Sequence, residues 1–156
     1  MKITNFHIET SEEFNTIMQR GINPLFDPHF SFDIDLRINI QRQFFGHSEI
    51  SKGDIFQANN RFYQYMWKYK KHYCEECLKP LNNYSSAFVS HILSRGAFPE
   101  MAHDVRNINI LCLPHHNQWE NGKRETMRIF LPNLKTIKIL KKEYANSKEH
   151  EKEVNG

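Results

Sequence analysis

The sequence lacks long hydrophobic runs. No apolar stretch approaches the roughly 18 consecutive residues that a membrane-spanning helix needs. The N-terminal segment MKITNFHIETSEEF soon becomes acidic and contains no apolar core of the kind that a secretory signal requires. Hydrophobic residues make up 39% and charged residues 25% of the 156-residue chain, a composition that excludes both a disordered tail and a membrane protein. We therefore expect one globular, cytoplasmic chain with no membrane partner.

Cysteine is also scarce. The chain has 3 cysteines, and an odd number in a cytosolic protein argues against a disulfide framework. Two of them form the CxxC pair Cys74 and Cys77, and the third, Cys112, precedes His115 with the same two-residue gap. This C-x2-C-x34-C-x2-H spacing suits a tetrahedral structural Zn²⁺ ion. Unrelated buried thiols or a redox-active CxxC pair are the alternatives, and the redox alternative leaves the second pair unexplained.

Acidic residues are few in the C-terminal two thirds of the chain. Residues 1–50 hold 4 Lys/Arg against 7 Asp/Glu, whereas residues 51–156 hold 17 against 11. A basic region of this kind is typical of a protein with a polyanionic partner such as nucleic acid, and a solvated lysine-rich surface explains it equally well. Charge alone therefore does not decide the function.

The first 50 residues predict an N-terminal α/β region. Lys2–Ile8 has the pattern of a strand. Thr10 and Glu13 have the spacing of a capping box at the start of a short helix, which Gly21 can end. Phe30–Gln41 alternates apolar and polar residues without interruption, which predicts a long, half-buried amphipathic strand. That segment carries no evident chemistry, and we interpret it as architecture.

Two further helices are predicted outside the cysteine-rich part of the chain. Asp54 can cap a helix that runs to about Tyr73, with a broad apolar face and a basic, tyrosine-containing end. That end suits either the helix dipole or a nucleic-acid backbone. A lysine-rich helix is predicted at about Leu134–Tyr144. The predicted organisation is an N-terminal region (1–50), a basic amphipathic helix that packs on the next module (51–72), a zinc-containing module (73–130) and a lysine-rich helix and tail (131–156).

The segment between the two metal-binding pairs predicts two strands, and a helix follows. Ser86–Ile92 is typical of a short strand with His91 near its end, and Asn107–Cys112 is typical of a second strand. Pro114 opens a helix that continues to about Glu120. Adjacent helical residues point about 100° apart, so His116 cannot easily share an ion with the ligand beside it. His116 therefore needs a separate role.

This order of residues resembles the HNH nuclease family. The chain has the family's features in the family's order: a CxxC pair, a histidine after a strand, an asparagine five residues before the third cysteine, and a histidine after the second pair. The histidine, asparagine and histidine that give the HNH family its name correspond to His91, Asn107 and His116. The segment HILSRGAFPEMAHDVRNINILCLPHHNQWE is similar in sequence to phage recombination proteins of the NinG (Rap) type. The resemblance covers about residues 73–130. It implies an α+β chain with a zinc-stapled ββα-metal module that hydrolyses DNA phosphodiester bonds, in phage recombination or branched-DNA processing, within a bacterial or phage-infected cell.

The resemblance also implies a role for each residue. Hydrolysis of a phosphodiester needs a base and a cation, and a histidine with a pKa near 6.5 is well matched to the first task. By the resemblance, His91 is the general base, Asn107 holds its loop, and His116 binds a catalytic Mg²⁺ or Mn²⁺ ion separate from the zinc. Many family members have an acidic ligand where this chain has Ser90. Glu120, four residues after His116, is the first candidate for the missing oxygen ligand, and Asp104 is the second.

Basic residues near the motif are the expected phosphate contacts. They are Arg95, Arg106, Lys123, Arg124 and Arg128. The sequence does not distinguish RNA from DNA as the polyanion. Two alternatives to the nuclease remain: a zinc-stabilised nucleic-acid-binding module that does not cut, with Ser90 marking the lost metal affinity, and an interaction protein whose alternating strand 30–41 pairs with a partner, for example in a homodimer.

Overall fold

The computed structural model describes residues 5–45 and 52–147, with no side-chain description for 52–55. Helices predominate, and two small two-stranded sheets accompany them, which confirms an α+β fold. Across the described ranges, no helix is both long and apolar enough to cross a membrane. In chain order the elements are β1 (Phe6–Ile8), α1 (Ser11–Gln19), β2 (Phe30–Phe32), α2 (Ile34–Phe45), α3 (Lys52–Tyr69), β3 (Val89–His91), β4 (Ile108–Ile110), α4 (Leu113–Asn121) and α5 (Phe130–Ala145).

The first strand and helix follow the predicted pattern. β1 pairs in parallel with β2, although residues 2–4 of the predicted strand lie outside the described part of the chain. The Thr10 hydroxyl oxygen accepts a hydrogen bond from the backbone N–H of Glu13 at 3.2 Å and donates one to its carboxylate at 3.1 Å. This confirms Thr10 as the N-cap, with Glu13 bound to its hydroxyl. After the helix, Gly21 has a φ of +83°, a left-handed conformation that glycine adopts without strain.

The predicted long strand over residues 30–41 is wrong. Only β2 is extended, and the chain then turns into α2. Asp33 begins the helix, because its carbonyl accepts from the N–H of Arg37 at 2.9 Å and its carboxylate from the N–H of Leu36 at 3.3 Å. In an uninterrupted alternation, apolar residues also recur four positions apart, as they do on one face of a helix. The pattern is therefore compatible with a helix as well as with a strand. Ile38 and Phe45 are buried by this helix.

The helix α3 lies at the centre of the core. Phe62 and Met66 are completely buried, in one continuous cluster with residues of the N-terminal region and of the cysteine-rich part. The helix begins at Lys52 and ends at Tyr69, so Asp54 is not its cap and the predicted end at Tyr73 is four residues too late. Tyr73 instead pairs with Pro80 in an isolated antiparallel bridge. The chain must leave the helix before the CxxC turn can form.

Two antiparallel strands and a helix follow in the order β3, β4, α4. His91 pairs with Ile108, and Val89 pairs with Ile110. Both strands are shorter than predicted, because residues 86–88 and 105–107 form 3-10 turns immediately before them. The short sheet places the end of β3 beside the start of β4, which determines the environment of His91.

The C-terminal helix α5 starts four residues earlier than predicted. Pro132 lies in its first turn, where a backbone N–H has no acceptor within the helix, so the proline does not delay the start. Leu140 and Tyr144 are buried against Ile38 of α2 and Met101 of the loop that follows β3. The predicted charged tail over residues 148–156 lies outside the described residues.

The helical state of α2 can be tested at Asn39, an exposed position in its middle. In a helix alanine is favoured over valine and asparagine by about 0.5 kcal/mol, whereas a strand favours valine over alanine. Asn39→Ala should therefore be more stable to urea than Asn39→Val. The opposite order of the two variants would show that residues 34–45 form a strand.

Candidate functional site

The four residues predicted as zinc ligands lie together. Their ligand atoms, from Cys74, Cys77, Cys112 and His115, are all within 4.8 Å of one another. Cys112 Sγ lies 3.2 Å from His115 Nδ1, and Cys77 Sγ lies 3.9 Å from Cys112 Sγ. A tetrahedral ion with bonds of about 2.0–2.3 Å separates its ligands by roughly 3.5–3.8 Å. The cluster can therefore hold a metal ion such as zinc.

The first half of this metal centre is a tight backbone turn. The N–H of Leu78 donates to the carbonyl of Cys74 at 2.8 Å, and the N–H of Cys74 donates to the carbonyl of Lys79 at 2.9 Å. Leu78 has a φ of +63°, which costs a non-glycine residue roughly 1–2 kcal/mol. The turn directs both thiols to the same side.

The second half is the start of α4. Cys112 precedes the helix, and its carbonyl accepts the first-turn N–H of His116 at 2.8 Å. The two halves are joined by Glu75, whose N–H donates to the carbonyl of Ile110 at 2.8 Å and whose carboxylate accepts from the N–H of the same residue. Glu75 therefore attaches the CxxC turn to β4, which leads into α4.

The two sides of the metal centre differ in acidity. A backbone hydrogen bond involving Lys79 lowers the pKa of the exposed Cys77 thiol. Burial raises the pKa of the Cys112 thiol to about 11. The fit to a metal ion therefore depends on the clustering of the four ligand atoms and not on the acidity of the thiols.

Asn107 ties together the loop that follows β3. It is completely buried, and its side-chain oxygen accepts from the N–H of Leu93 at 2.7 Å. Its amide nitrogen donates to the carbonyls of Leu93 at 3.0 Å and Met101 at 3.2 Å. One side chain thus satisfies backbone groups at both ends of the loop, as a buried irregular segment requires.

His91 is fixed by the same loop. Its Nε2 lies 2.9 Å from the carbonyl oxygen of Ala102, which can only accept, so Nε2 carries the proton and Nδ1 is the free acceptor of the neutral ring. Burial lowers the pKa of His91. The imidazole is therefore neutral and oriented at pH 7.

His115 and His116 face different neighbours, as their helical spacing predicts. His115 faces the thiols, whereas His116 places Nδ1 2.5 Å from the carbonyl oxygen of Ala87. His116 Nε2 lies 2.9 Å from a carboxylate oxygen of Glu120, one turn later on α4. Two ligands of an octahedral ion with bonds of about 2.1 Å are roughly 3.0 Å apart, so this pair has a suitable separation for a hard divalent ion.

Two adjoining clefts surround these residues. The first, which we name the histidine cleft, has a volume of about 350 Å³ and is lined by His91, His116, Glu120, Tyr63 and Arg95 among others. The second, the tryptophan cleft, has a volume of about 370 Å³ and is lined by His91, Glu120, Trp119, Phe98 and Arg124 among others. Among the described residues that line them, Glu120 carries the only carboxylate.

Ser90 and Asp104 do not contribute to either cleft. Ser90 alternates with His91 along β3, and its hydroxyl is buried with no hydrogen-bond partner among the described residues. Asp104 is completely buried, where burial raises its pKa but the Arg106 guanidinium outweighs it and holds the pKa well below the usual range. Tyr144 also donates to Asp104 at 2.9 Å. Asp104 is therefore a structural acid rather than a metal ligand in the cleft.

The expected phosphate contacts separate into distinct environments. Arg106 is occupied by Asp104 at 2.9 Å and Glu143 at 2.7 Å, so its charge is compensated inside the protein. Arg95 and Arg124 line the two clefts. Lys123 and Arg128 are exposed but do not line them.

Sequence reasoning missed Tyr63. Its hydroxyl oxygen accepts from Arg95 Nη1 at 2.7 Å, in the histidine cleft. The residue belongs to the apolar repeat of α3, and that repeat does not indicate which aromatic side chain reaches a cleft. The only feature of the sequence that could have indicated Tyr63 was its hydroxyl on a predicted helix face that is otherwise apolar.

Comparisons of the chain with family models, with curated proteins and with solved structures find no match. The functional interpretation therefore depends on the residues and their geometry.

We expect His115→Asn to reduce the zinc content of the purified protein and to lower its melting temperature substantially. Structural zinc contributes roughly 10–16 kcal/mol to the folding of isolated fingers. Elemental analysis and thermal denaturation with and without a chelator provide the measurement. His7→Asn, which changes an exposed histidine on β1, is the matched control. If His115→Asn and the wild type melt alike in chelator and without it, the metal centre is not structural.

Asp104→Asn should destabilise the protein by about 3 kcal/mol at neutral pH, because it removes the buried partner of Arg106. The depressed pKa adds a pH signature. The stabilisation is fully present above the unfolded pKa of about 3.9 and is lost as the pH falls below it. Urea denaturation should therefore show that the free energies of unfolding of wild type and variant differ by a constant amount above about pH 5, and by a smaller amount near pH 3. The exposed Glu125→Gln is the control, and a difference independent of pH would contradict this role.

Proposed function

We propose that the protein is a metal-dependent endonuclease of the HNH type that hydrolyses phosphodiester bonds in DNA. The observation that carries the proposal is the convergence of His91, His116 and Glu120 on one cleft, next to a separate Cys3His centre. Neither histidine is needed by that centre. The identity as an HNH enzyme, the choice of DNA and a role in phage recombination or branched-DNA processing are all part of this proposal.

His91 is the proposed general base. Its Nε2–H is held by the carbonyl of Ala102, which leaves Nδ1 to accept a proton from the attacking water. The lowered pKa keeps the ring neutral at physiological pH, as a base must be. General-base catalysis of this kind contributes roughly 10²–10⁴ to a rate.

Asn107 is the proposed positioning residue for this base. It binds the backbone on both sides of the loop from Leu93 to Met101. The next carbonyl after Met101, that of Ala102, is the acceptor for His91. Loss of the Asn107 amide therefore frees the segment that orients the imidazole.

His116 and Glu120 would hold a Mg²⁺ or Mn²⁺ ion. Such an ion supplies charge neutralisation at the scissile phosphate and at the leaving oxygen. The Nδ1–H of His116 donates to the carbonyl of Ala87, which leaves Nε2 as the ligand atom; an ion would replace the direct contact of 2.9 Å that Nε2 makes with Glu120. One imidazole and one carboxylate are few ligands for a hard ion, and water and phosphate oxygens would complete the set.

The second candidate function is a zinc-stabilised nucleic-acid-binding module that does not cut. One specific observation favours it. Glu120 is the only carboxylate among the described residues that line the clefts, and the Ser90 hydroxyl is buried away from them. The two functions differ in a single measurable property, which is metal-dependent hydrolysis.

The first test compares wild type with His91→Ala on supercoiled plasmid and a synthetic four-way junction, with Mg²⁺, with Mn²⁺ and without added divalent ion. We expect cutting by wild type to require the ion and to fall roughly 10²–10⁴-fold in the variant. The wild-type rate should decline on the acid side only below about pH 6.5, the ordinary histidine pKa, because the pKa of His91 is lowered.

Two controls make this comparison decisive. His7→Ala alters an exposed histidine outside both clefts and should cut like wild type. Circular dichroism and DNA binding should show that His91→Ala remains folded and still binds. DNA binding by wild type without cutting in any metal ion would overturn the nuclease and leave the non-catalytic module.

A further inference from the structure

His91 and Glu120 line two clefts, and each cleft also contains one arginine. The histidine cleft and the tryptophan cleft adjoin along a shared border that consists of His91, Ser94 and Glu120. Arg95 lines only the histidine cleft, and Arg124 lines only the tryptophan cleft. A chain that passed from one cleft into the other would therefore cross the base and the carboxylate between two positive charges.

An aromatic side chain holds each arginine in place. Nη1 of Arg95 donates to the hydroxyl of Tyr63 at 2.7 Å. The guanidinium carbon of Arg124 lies 4.6 Å from the ring centroid of Trp119. An arginine that is already oriented loses less side-chain entropy when it binds an anion.

Neither positive charge is neutralised within the described part of the protein. No ion pair is formed there by Arg95 or Arg124, in contrast to Arg106, which is paired with two carboxylates. Tyrosine and tryptophan orient a guanidinium without cancelling its charge. These two arginines thus remain available to an external anion at the edge of each cleft.

We propose that one DNA strand crosses both clefts, and that Arg95 and Arg124 bind backbone phosphates on opposite sides of the scissile phosphodiester. This inference rests on the proposed function and adds to it the path of the strand and the residue that binds a phosphate on each side of the cut. Cleft volumes of about 350 and 370 Å³ lie at the lower end of the roughly 300–1,000 Å³ of ligand pockets, so each has room for a group the size of one nucleotide.

The first experiment measures binding without chemistry. Full-length protein carrying His91→Ala is titrated against a fluorescent DNA duplex over a range of NaCl concentrations. Arg95→Ala and Arg124→Ala should each reduce the slope of log affinity against log salt by about 0.9, and the double variant by about 1.8. Arg20→Ala, an exposed arginine at the end of α1, is the matched control and should leave the slope unchanged. If the slope is unchanged in both Arg95→Ala and Arg124→Ala, the proposal that one strand crosses both clefts is overturned.

The second experiment places one uncharged methylphosphonate at a known position in a labelled strand and maps cutting at nucleotide resolution. In wild type, cutting should be suppressed about tenfold or more at bonds on both sides of the neutral position, wherever a clamped phosphate is lost. Arg95→Ala should abolish the suppression on one side and Arg124→Ala on the other. Tyr63→Phe should weaken suppression on the Arg95 side alone, because the hydroxyl that holds Arg95 is removed.

The outcomes separate the strand path from the nuclease. If wild type cuts but both variants affect the same side, the path is overturned and the nuclease stands. If the salt slopes change as expected but wild type does not cut, the two arginines bind phosphates, and both the nuclease and a cut between these arginines are overturned. If wild type cuts only the terminal nucleotides of a strand, the two-sided path is overturned.

Discussion

Two chain segments that lie 34 residues apart supply the ligands of the Cys3His centre, and the geometry of the cleft depends on that attachment. Cys112 and His115 form the start of α4, so the direction of this helix is set at the metal centre. The next residue, His116, then points toward Ala87 and Glu120 instead of the thiols. His115 of the Cys3His cluster and the His116–Glu120 pair thus lie on the same helix but face different neighbours.

Polar side chains, rather than apolar packing alone, hold the other wall of the cleft. Asn107 binds both ends of the loop after β3, and Trp119 donates its indole N–H to the carbonyl of Ile92 at 3.1 Å. Asp104 closes the following turn by accepting from the N–H of Arg106 at 2.9 Å, and Tyr144 of α5 donates to the same carboxylate. A loop without regular secondary structure becomes rigid only when its backbone groups have partners. Asn107 and Trp119 supply partners to backbone groups of this loop, and α5 contributes indirectly through Tyr144, which binds the Asp104 carboxylate.

How well each feature could be predicted depends on how far apart in the sequence the interacting residues are. The metal-binding residues were predictable because the ligands within each pair are three residues apart, and the same short range made the Thr10–Glu13 cap predictable. The strand over residues 30–41 was predicted wrongly because the alternation of apolar and polar residues is compatible with both a strand and a helix. The helix was decided by Asp33 at its start and by burial against distant elements. The roles of Arg95 and Arg106 could not be separated in the sequence. Each is a basic residue near the motif, and only the fold shows that one meets Tyr63 and the other two carboxylates.

The different partners of the arginines matter more for function than the formal net charge of +3. The charge of Arg106 is compensated by Asp104 and Glu143, which both pair with it. Arg95 and Arg124 keep their charge while an aromatic neighbour limits their motion. In a cleft with partly apolar walls, such uncompensated charges attract a polyanion more strongly than mobile surface lysines do. Carboxylates thus surround the arginine that lies within the fold, and aromatic side chains contact the two arginines that line the clefts.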